Sequence, residues 1–378
     1  MKILYYTWRS FMKRGIEDAF RELGIDYDVL EYEQTDWEKD DRFAEMVRKQ
    51  LNKTAYDAVF SVNFAPIVSA ECEAKGIRYV AWAYDSPLHI VNLESMKNSC
   101  SEIYMFDRGQ VEAYRKKGVP MKYLPLAADV TNFQKIISTR NAKIPRCDVS
   151  LLGKMYHTEY TQYFVKLKDY CQGYLEGIVR SHMKIYGDNL IPQLVTDDLL
   201  ERMNRDYAET LPGFTMGRRE LEFLLAGEVT GRERLVALTL LAKHFDTWLY
   251  SPNEVEAPGL HYGGTVPYYG DMPLVFARSR INLNVTLKSI HTGIPLRIFD
   301  VMACGGFVMT NYQTEVLEYF EPGAELEVYE NLEDLYSKTA FYLEHEDLRA
   351  QIARRGLERV KRDFTFTERI RQMLIERI

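Results

Sequence analysis

The sequence predicts an α/β protein made of two Rossmann-like domains in series, facing a central cleft. Three observations predict it. Short apolar runs alternate with helical apolar spacing through residues 1–130, and the alternation resumes at residue 147. Between the resumed strands, residues 158–242 read as mainly helical. A chain of 378 residues holds two or three domains of ordinary size.

In the first domain (1–133), residues 2–6 read as a strand. Residues 11–23 follow with Phe11, Met12, Ile16, Ala19, Phe20 and Leu23 at helical spacing and Gly24 as the stop. Strands at 27–32, 58–62 and 78–82 alternate with helices at 41–51 and 66–75. A strand at 102–106, a helix at 110–117 and a strand at 122–125 complete the set. No G-x-G-x-x-G follows the first strand, so a dinucleotide cofactor is not expected. Residues 130–146 are mixed and basic and read as a linker. The second domain (147–363) opens with a strand at 147–152 and the loop Gly153–Lys154. Its later strands are expected at 246–251 and 281–285, and the Gly-, Pro- and Tyr-rich stretch 252–271 reads as loop. A short helix at 273–279, a small strand at 327–329 and helices at 332–343 and 347–360 follow. A terminal helix at 366–378 closes the chain and is expected to pack back on the first domain.

Composition narrows the function classes. Hydrophobic content of 46% and charged content of 27% are those of a globular protein. A net charge of −7 gives no dominant basic surface, so a nucleic-acid partner is not expected. The five cysteines form no C-x-x-C pair and sit at no metal-ligand spacing, as suits a reducing, cytoplasmic setting. No apolar run reaches membrane-spanning length, which leaves at most peripheral membrane contact. The aspartate pairs at 40–41 and 197–198 fall on helical patterns and read as solvated faces, so no metal site is expected.

Residues 289–311, SIHTGIPLRIFDVMACGGFVMTN, concentrate the chemistry. Pro295 suits the first position of a short apolar helix, and Gly305 and Gly306 end it. Ile294 would then be the cap, with no side chain to satisfy the free N–H groups, a role open to a phosphate. Arg297 and Asp300, three residues apart, share one face: a surface ion pair on a core helix and a ligand-binding pair fit equally.

The run PLVFARSRINLN, then R-I-F-D-V-M-A-C-G-G from Arg297 to Gly306, then FEPGAELEVYENLEDL and the closing helices resembles the C-terminal half of GT-B-fold glycosyltransferases. The CgeB-like group is the nearest pattern. The first domain, with its WAYDSP strand end, is similar to the domain paired with it in bacterial proteins. The resemblance implies transfer of a hexosyl or N-acetylhexosaminyl group from a nucleotide sugar, a UDP-sugar by expectation, without metal or other cofactor. The hydroxyl acceptor is a glycan, a protein or a small molecule. It also implies that the second domain binds the donor and the first the acceptor. Asp300 takes the place of the carboxylate that grips the ribose. The position eight before it, acidic in many relatives, is Thr292, which leaves the stereochemistry open.

Within that frame, Thr292, Gly293 and Ile294 offer N–H groups to the pyrophosphate, and Arg297, Lys154 and Lys288 offer charge. A plain surface charge is the competing reading for each. Gly153 lets the backbone come close, Tyr250 ends a strand where a base could stack, and Asn284 points toward a strand end. His157 and His291 neighbour the same loops. In the first domain Asp85 ends the fourth strand, either as general base or as a turn cap, and His89 is the alternative base. Two other functions fit the same residues: a GT-B-fold nucleotide-sugar epimerase, and a non-catalytic nucleotide-sugar or glycan-binding protein.

Overall fold

The computed structural model describes residues 1–88, 90–141, 143–156 and 160–377. The chain divides into two compact units. The first comprises Met1–Asn132, Gly293–Phe299 and Arg359–Ile378; the second comprises Phe133–Thr292 and Asp300–Glu358. Each is built on a parallel six-stranded sheet with interleaved helices.

The first unit runs β1 (Lys2–Thr7), α1 (Lys13–Glu22), β2 (Asp26–Glu31), α2 (Asp41–Lys53), β3 (Ala58–Val62), α3 (Pro66–Lys75), β4 (Arg78–Ala83), β5 (Ser101–Met105), α4 (Arg108–Lys116) and β6 (Met121–Tyr123). Its sheet order is β2-β1-β3-β4-β5-β6. The central strands are buried on both faces, which is why AVFSV and RYVAWA read as continuous apolar runs. The order reverses between β1 and β3, whose crossover helices therefore lie on opposite faces; this is the topological switch point.

The basic stretch 130–146 is not a bare linker. It forms α5 (Val130–Thr139), with Phe133 fully buried. Packing of Phe133 against Tyr268 and Tyr269 gives the apolar stripe of the helix a partner.

The second unit continues with β7 (Cys147–Leu152), α6 (Tyr160–Phe164), α7 (Asp169–His182), α8 (Ile191–Leu194), α9 (Asp197–Thr210) and α10 (Arg218–Ala242). Then come β8 (Thr247–Tyr250), β9 (Leu260–Gly264), α11 (Met272–Arg278), β10 (Ser279–Asn284), α12 (Leu296–Ala303, counted with this unit from Asp300), β11 (Val308–Asn311), α13 (Thr314–Tyr319), β12 (Glu327–Tyr329), α14 (Leu332–Glu344) and α15 (Glu346–Asp363, counted with this unit as far as Glu358). Its sheet order is β12-β11-β10-β7-β8-β9, with the switch point between β7 and β10. Two cores serve it: one under the sheet, around Val149, Leu249, Ile281 and Met309, and one wholly helical, around Leu175, Leu199, Tyr207 and Leu225.

β9 corrects the reading of 252–271 as loop. The strand forms because pairing with β8 overrides a weak local propensity. Gly263 is required by contact, since a Cβ there would lie 2.3 Å from the Tyr250 ring, and Gly264 by its left-handed backbone, φ +68°. The last helix, α16 (Phe366–Arg371), gives way to a π turn over Gln372–Glu376.

α16 lies against α1 in the first unit, where a Cβ on Gly15 would meet the Phe366 ring at 2.5 Å. Gly15→Val should therefore lower stability by about 1–3 kcal/mol through overpacking. Gly173→Ala, on α7 with open space around it, should raise stability by about 0.5–1 kcal/mol. Urea unfolding of both variants checks the pair.

Candidate functional site

The second unit gathers its polar groups at the C-terminal edge of its sheet. β7 ends in Gly153 and Lys154, β10 in Asn284 and the loop beyond it, and the two strands are the pair at the switch point. α10 holds both loops. Arg234, buried, donates from Nε (3.2 Å) and Nη2 (2.6 Å) to the Val285 carbonyl, and from Nη1 to the Lys154 carbonyl. Its guanidinium lies 5.1 Å from the Tyr156 ring centre. Two glycines make the approach possible. A Cβ on Gly153 would stand 2.9 Å from Arg234 Nη1, and one on Gly231 would stand 2.5 Å from the Met155 carbonyl oxygen.

The same helix fixes the next residue pair. Lys288 is 5% exposed, so it is not the surface charge of one sequence reading. Its N–H donates to Thr230 Oγ1 (3.0 Å), and its ammonium donates to the Ile185 carbonyl (2.7 Å). The ammonium also lies 2.8 Å from Glu233 Oε1 and 5.0 Å from the Tyr186 ring centre. The second Glu233 oxygen has no hydrogen-bond partner among the described residues. Burial pushes this carboxyl up to about 7, against the opposing pull of Lys288 and Arg234. Lys154 itself is exposed, and its carbonyl accepts from Arg234.

Asp300 is 1% exposed, on α12, and accepts from the Tyr268 hydroxyl at 2.6 Å. Thr292 donates from Oγ1 to the buried Glu315 carboxylate at 2.6 Å. A carboxylate thus stands beside the position where the sequence has none. α12 starts one residue later than expected, at Leu296, with the Pro295 carbonyl accepting from Ile298 N (3.1 Å). Ile294 is buried, and His291 and Arg297 are half-buried. Gly293 has a packing reason of its own: a Cβ there would meet Asp107 Cα at 2.8 Å. Asn284 is engaged in the sheet, donating to Thr310 Oγ1 (2.9 Å) and Thr286 Oγ1 (3.1 Å). Tyr250 packs its ring on Gly263, and burial pushes its phenol up to about 12.

In the first unit, Asp85 follows β4 and is held by Asn63, which follows β3. Asn63 donates from Nδ2 to Asp85 Oδ2 (2.6 Å), while its Oδ1 accepts from the N–H groups of Tyr84 (2.9 Å) and Asp85 (3.2 Å). To do so Asn63 adopts a left-handed backbone, φ +57°. Ser86 donates to the buried Asp107 at 2.7 Å. His89 and His157 lie outside the described residues. Among the described residues no group of three or more His, Cys, Asp or Glu side chains is placed to hold a metal ion, and no helix is long and apolar enough to cross a membrane.

Sequence reasoning missed Asn63, Thr230, Glu233, Arg234 and Glu315. Only α10 carried a signal, a charged pair at 233–234 abutting the apolar run 235–242.

This architecture is that of the GT-B fold. Residues 208–375 match a family model described as glycosyl transferase-like. The sucrose-phosphate synthase of Thermosynechococcus elongatus is similar in structure, with TM-score 0.52 and 12% identity over 100% of this chain and 98% of that one. The α,α-trehalose 6-phosphate synthase of Burkholderia multivorans gives TM-score 0.52 and 12% identity over 99% and 96%. T4 phage BGT, solved with its UDP-glucose substrate, gives TM-score 0.51 and 11% identity over 99% and 100%. No curated protein matches the sequence.

The Glu233 carboxyl binds its proton more tightly in the folded chain than at its ordinary value of 4.5. The stability this contributes is full below that value and is lost as pH rises through about 7. Relative to Glu233→Gln, the wild type should therefore lose stability across that window. Urea titrations of both proteins at stepped pH measure the difference.

Proposed function

We propose that the protein is a glycosyltransferase that moves a sugar from a nucleotide-sugar donor to a hydroxyl acceptor. The observation that carries this reading is the glycosyl transferase-like match over residues 208–375, which includes the α10 clamp, the β10 loop and α12. T4 phage BGT has UDP-glucose as its substrate, which favours a UDP-sugar here. A hexosyl or N-acetylhexosaminyl group and a CgeB-like subtype remain parts of the same proposal.

The donor belongs to the second unit in this reading. The two loops clamped by Arg234 present backbone at the switch point, where α/β sheets bind ligands. Lys154, exposed on the first of those loops, supplies positive charge to the leaving diphosphate. Asp300, fixed by Tyr268, accepts from the ribose hydroxyls. Lys288 serves through its position: its ammonium is taken up by Glu233 and Ile185, so it holds the loop that continues to Thr292. The acceptor belongs to the first unit. There Asp85, with one oxygen bound by Asn63, takes the proton of the attacking hydroxyl.

Two outcomes test this. At a UDP-glucose concentration about 100 times its Kd, binding should stabilise the fold by about 2.7 kcal/mol, read as a rise in Tm. Asp300→Ala should remove most of that rise. A chain that no nucleotide or nucleotide sugar stabilises would refute the donor site. Asp85→Asn should lower kcat for transfer by about 10²–10⁴-fold with donor stabilisation retained. Retention of full kcat would leave Asp85 as a turn residue.

A further inference from the structure

The switch point of the first unit lies between β1 and β3, and the loops that leave it carry an unusual set of side chains. Trp8 follows β1 directly. It packs edge to face on Trp37 from the loop after β2, with ring centres 5.2 Å apart and planes at 73°. Both indoles are half-buried. Trp8 Nε1 is shielded yet has no hydrogen-bond acceptor among the described residues. Gln34, on the same β2 loop, donates to the Tyr6 hydroxyl at 2.8 Å, but its Oε1 is shielded and has no donor. The indole N–H lacks an acceptor and the amide oxygen lacks a donor, and both lie on loops at the C-terminal ends of β1 and β2.

A hydroxyl both accepts and donates, and so suits either group. The charges on the rim point the same way. Arg9 pairs with Glu33 at 3.2 Å, and Lys13 pairs with Glu31 at 2.6 Å, so these cations are already matched. An anionic ligand would have to displace a carboxylate from each. A neutral polyol with a flat C–H face is the chemistry that fits a tryptophan pair flanked by one spare donor and one spare acceptor. Hydroxyls take the polar groups, and C–H groups lie on the negative face of the indole.

We propose that the β1 and β2 loops form a saccharide subsite, centred on Trp8, Trp37 and Gln34, which makes the acceptor a neutral glycan. The proposal rests on the transferase reading for its word acceptor and on the side chains alone for its word saccharide. Strand spacing supports the arrangement. The strand before Trp8 is two positions from the strand before Asp85, about 10 Å at the usual spacing. A reacting sugar held by Asp85 and Asn63 would thus be followed by a second ring over the tryptophans.

The test titrates the full chain with maltose, cellobiose, lactose and diacetylchitobiose while reading intrinsic tryptophan fluorescence. At least one disaccharide should change the emission saturably. Trp37→Ala should raise its Kd about tenfold or more, equivalent to about 1.4 kcal/mol. Trp8→Phe keeps an aromatic ring, removes the N–H together with the second ring of the indole, and should raise Kd several-fold. It also guards against a fold lost in Trp37→Ala, which a melting curve reports. The subsite is overturned if no disaccharide changes the emission, or if both variants bind as tightly as wild type. Stabilisation by UDP-glucose, measured alongside, separates the two claims. Disaccharide binding without stabilisation by any nucleotide or nucleotide sugar would refute the transferase reading and keep the subsite. A donor effect without disaccharide binding would do the reverse.

Discussion

The second unit depends on one buried guanidinium. Arg234 makes three hydrogen bonds to two carbonyls that no strand or helix ladder uses. Parallel strands end by releasing their backbone groups, and at a switch point the neighbouring crossovers leave in opposite directions, so no third strand takes those groups up. A planar, permanently charged fork can reach two carbonyls from one helix position. A lysine in its place would offer a point charge without the fork. The glycines at 153 and 231 follow from this, since any side chain at either would push the loop off the clamp.

Glu233 and Lys288 extend the same device at a different energetic balance. Burying two charges is costly, and a pair with one oxygen lacking a donor recovers that cost poorly. A pair of apolar residues would pack there with less penalty. What the ion pair adds is direction. Lys288 is held from three sides, by Thr230, Ile185 and Glu233, and so fixes the loop after β10 to α10 and to the end of α7. A loop anchored at both Val285 and Lys288 has little freedom when it reaches Thr292. This is the preorganisation that an electrostatic site requires.

Much of the fold was legible because parallel strands buried on both faces leave continuous apolar runs, as AVFSV and RYVAWA do. β9 was not, because LHYGG has neither alternation nor β-branched residues and owes its pairing to β8. α5 was missed for a similar reason: Phe133 needs Tyr268 and Tyr269 before it reads as core. At the site, Asp300 stood out because a carboxylate in an apolar helix is conspicuous in one dimension. Glu233 and Arg234 did not, because charged residues on a long helix usually face water, and only the third dimension shows α10 turning these two inward. Asn63 left no trace for a related reason. An asparagine after a strand reads as a turn residue, and its clamp on Asp85 spans 22 positions of sequence.

The two units tie neighbouring strand ends with different chemistry. In the second unit the loops are tied by a cation, and an exposed lysine stands on the first of them. An exposed cation of that kind suits the anionic group proposed for this unit. In the first unit the tie is a neutral amide: Asn63 reaches both the backbone after β4 and the Asp85 carboxylate. The cations Arg9 and Lys13 on its rim are paired with carboxylates, and the spare groups are one N–H and one amide oxygen. A site of that kind gains little from a charged ligand and much from hydroxyls. The proposed placement of the diphosphate in the second unit and of the polyol in the first follows this difference in charge.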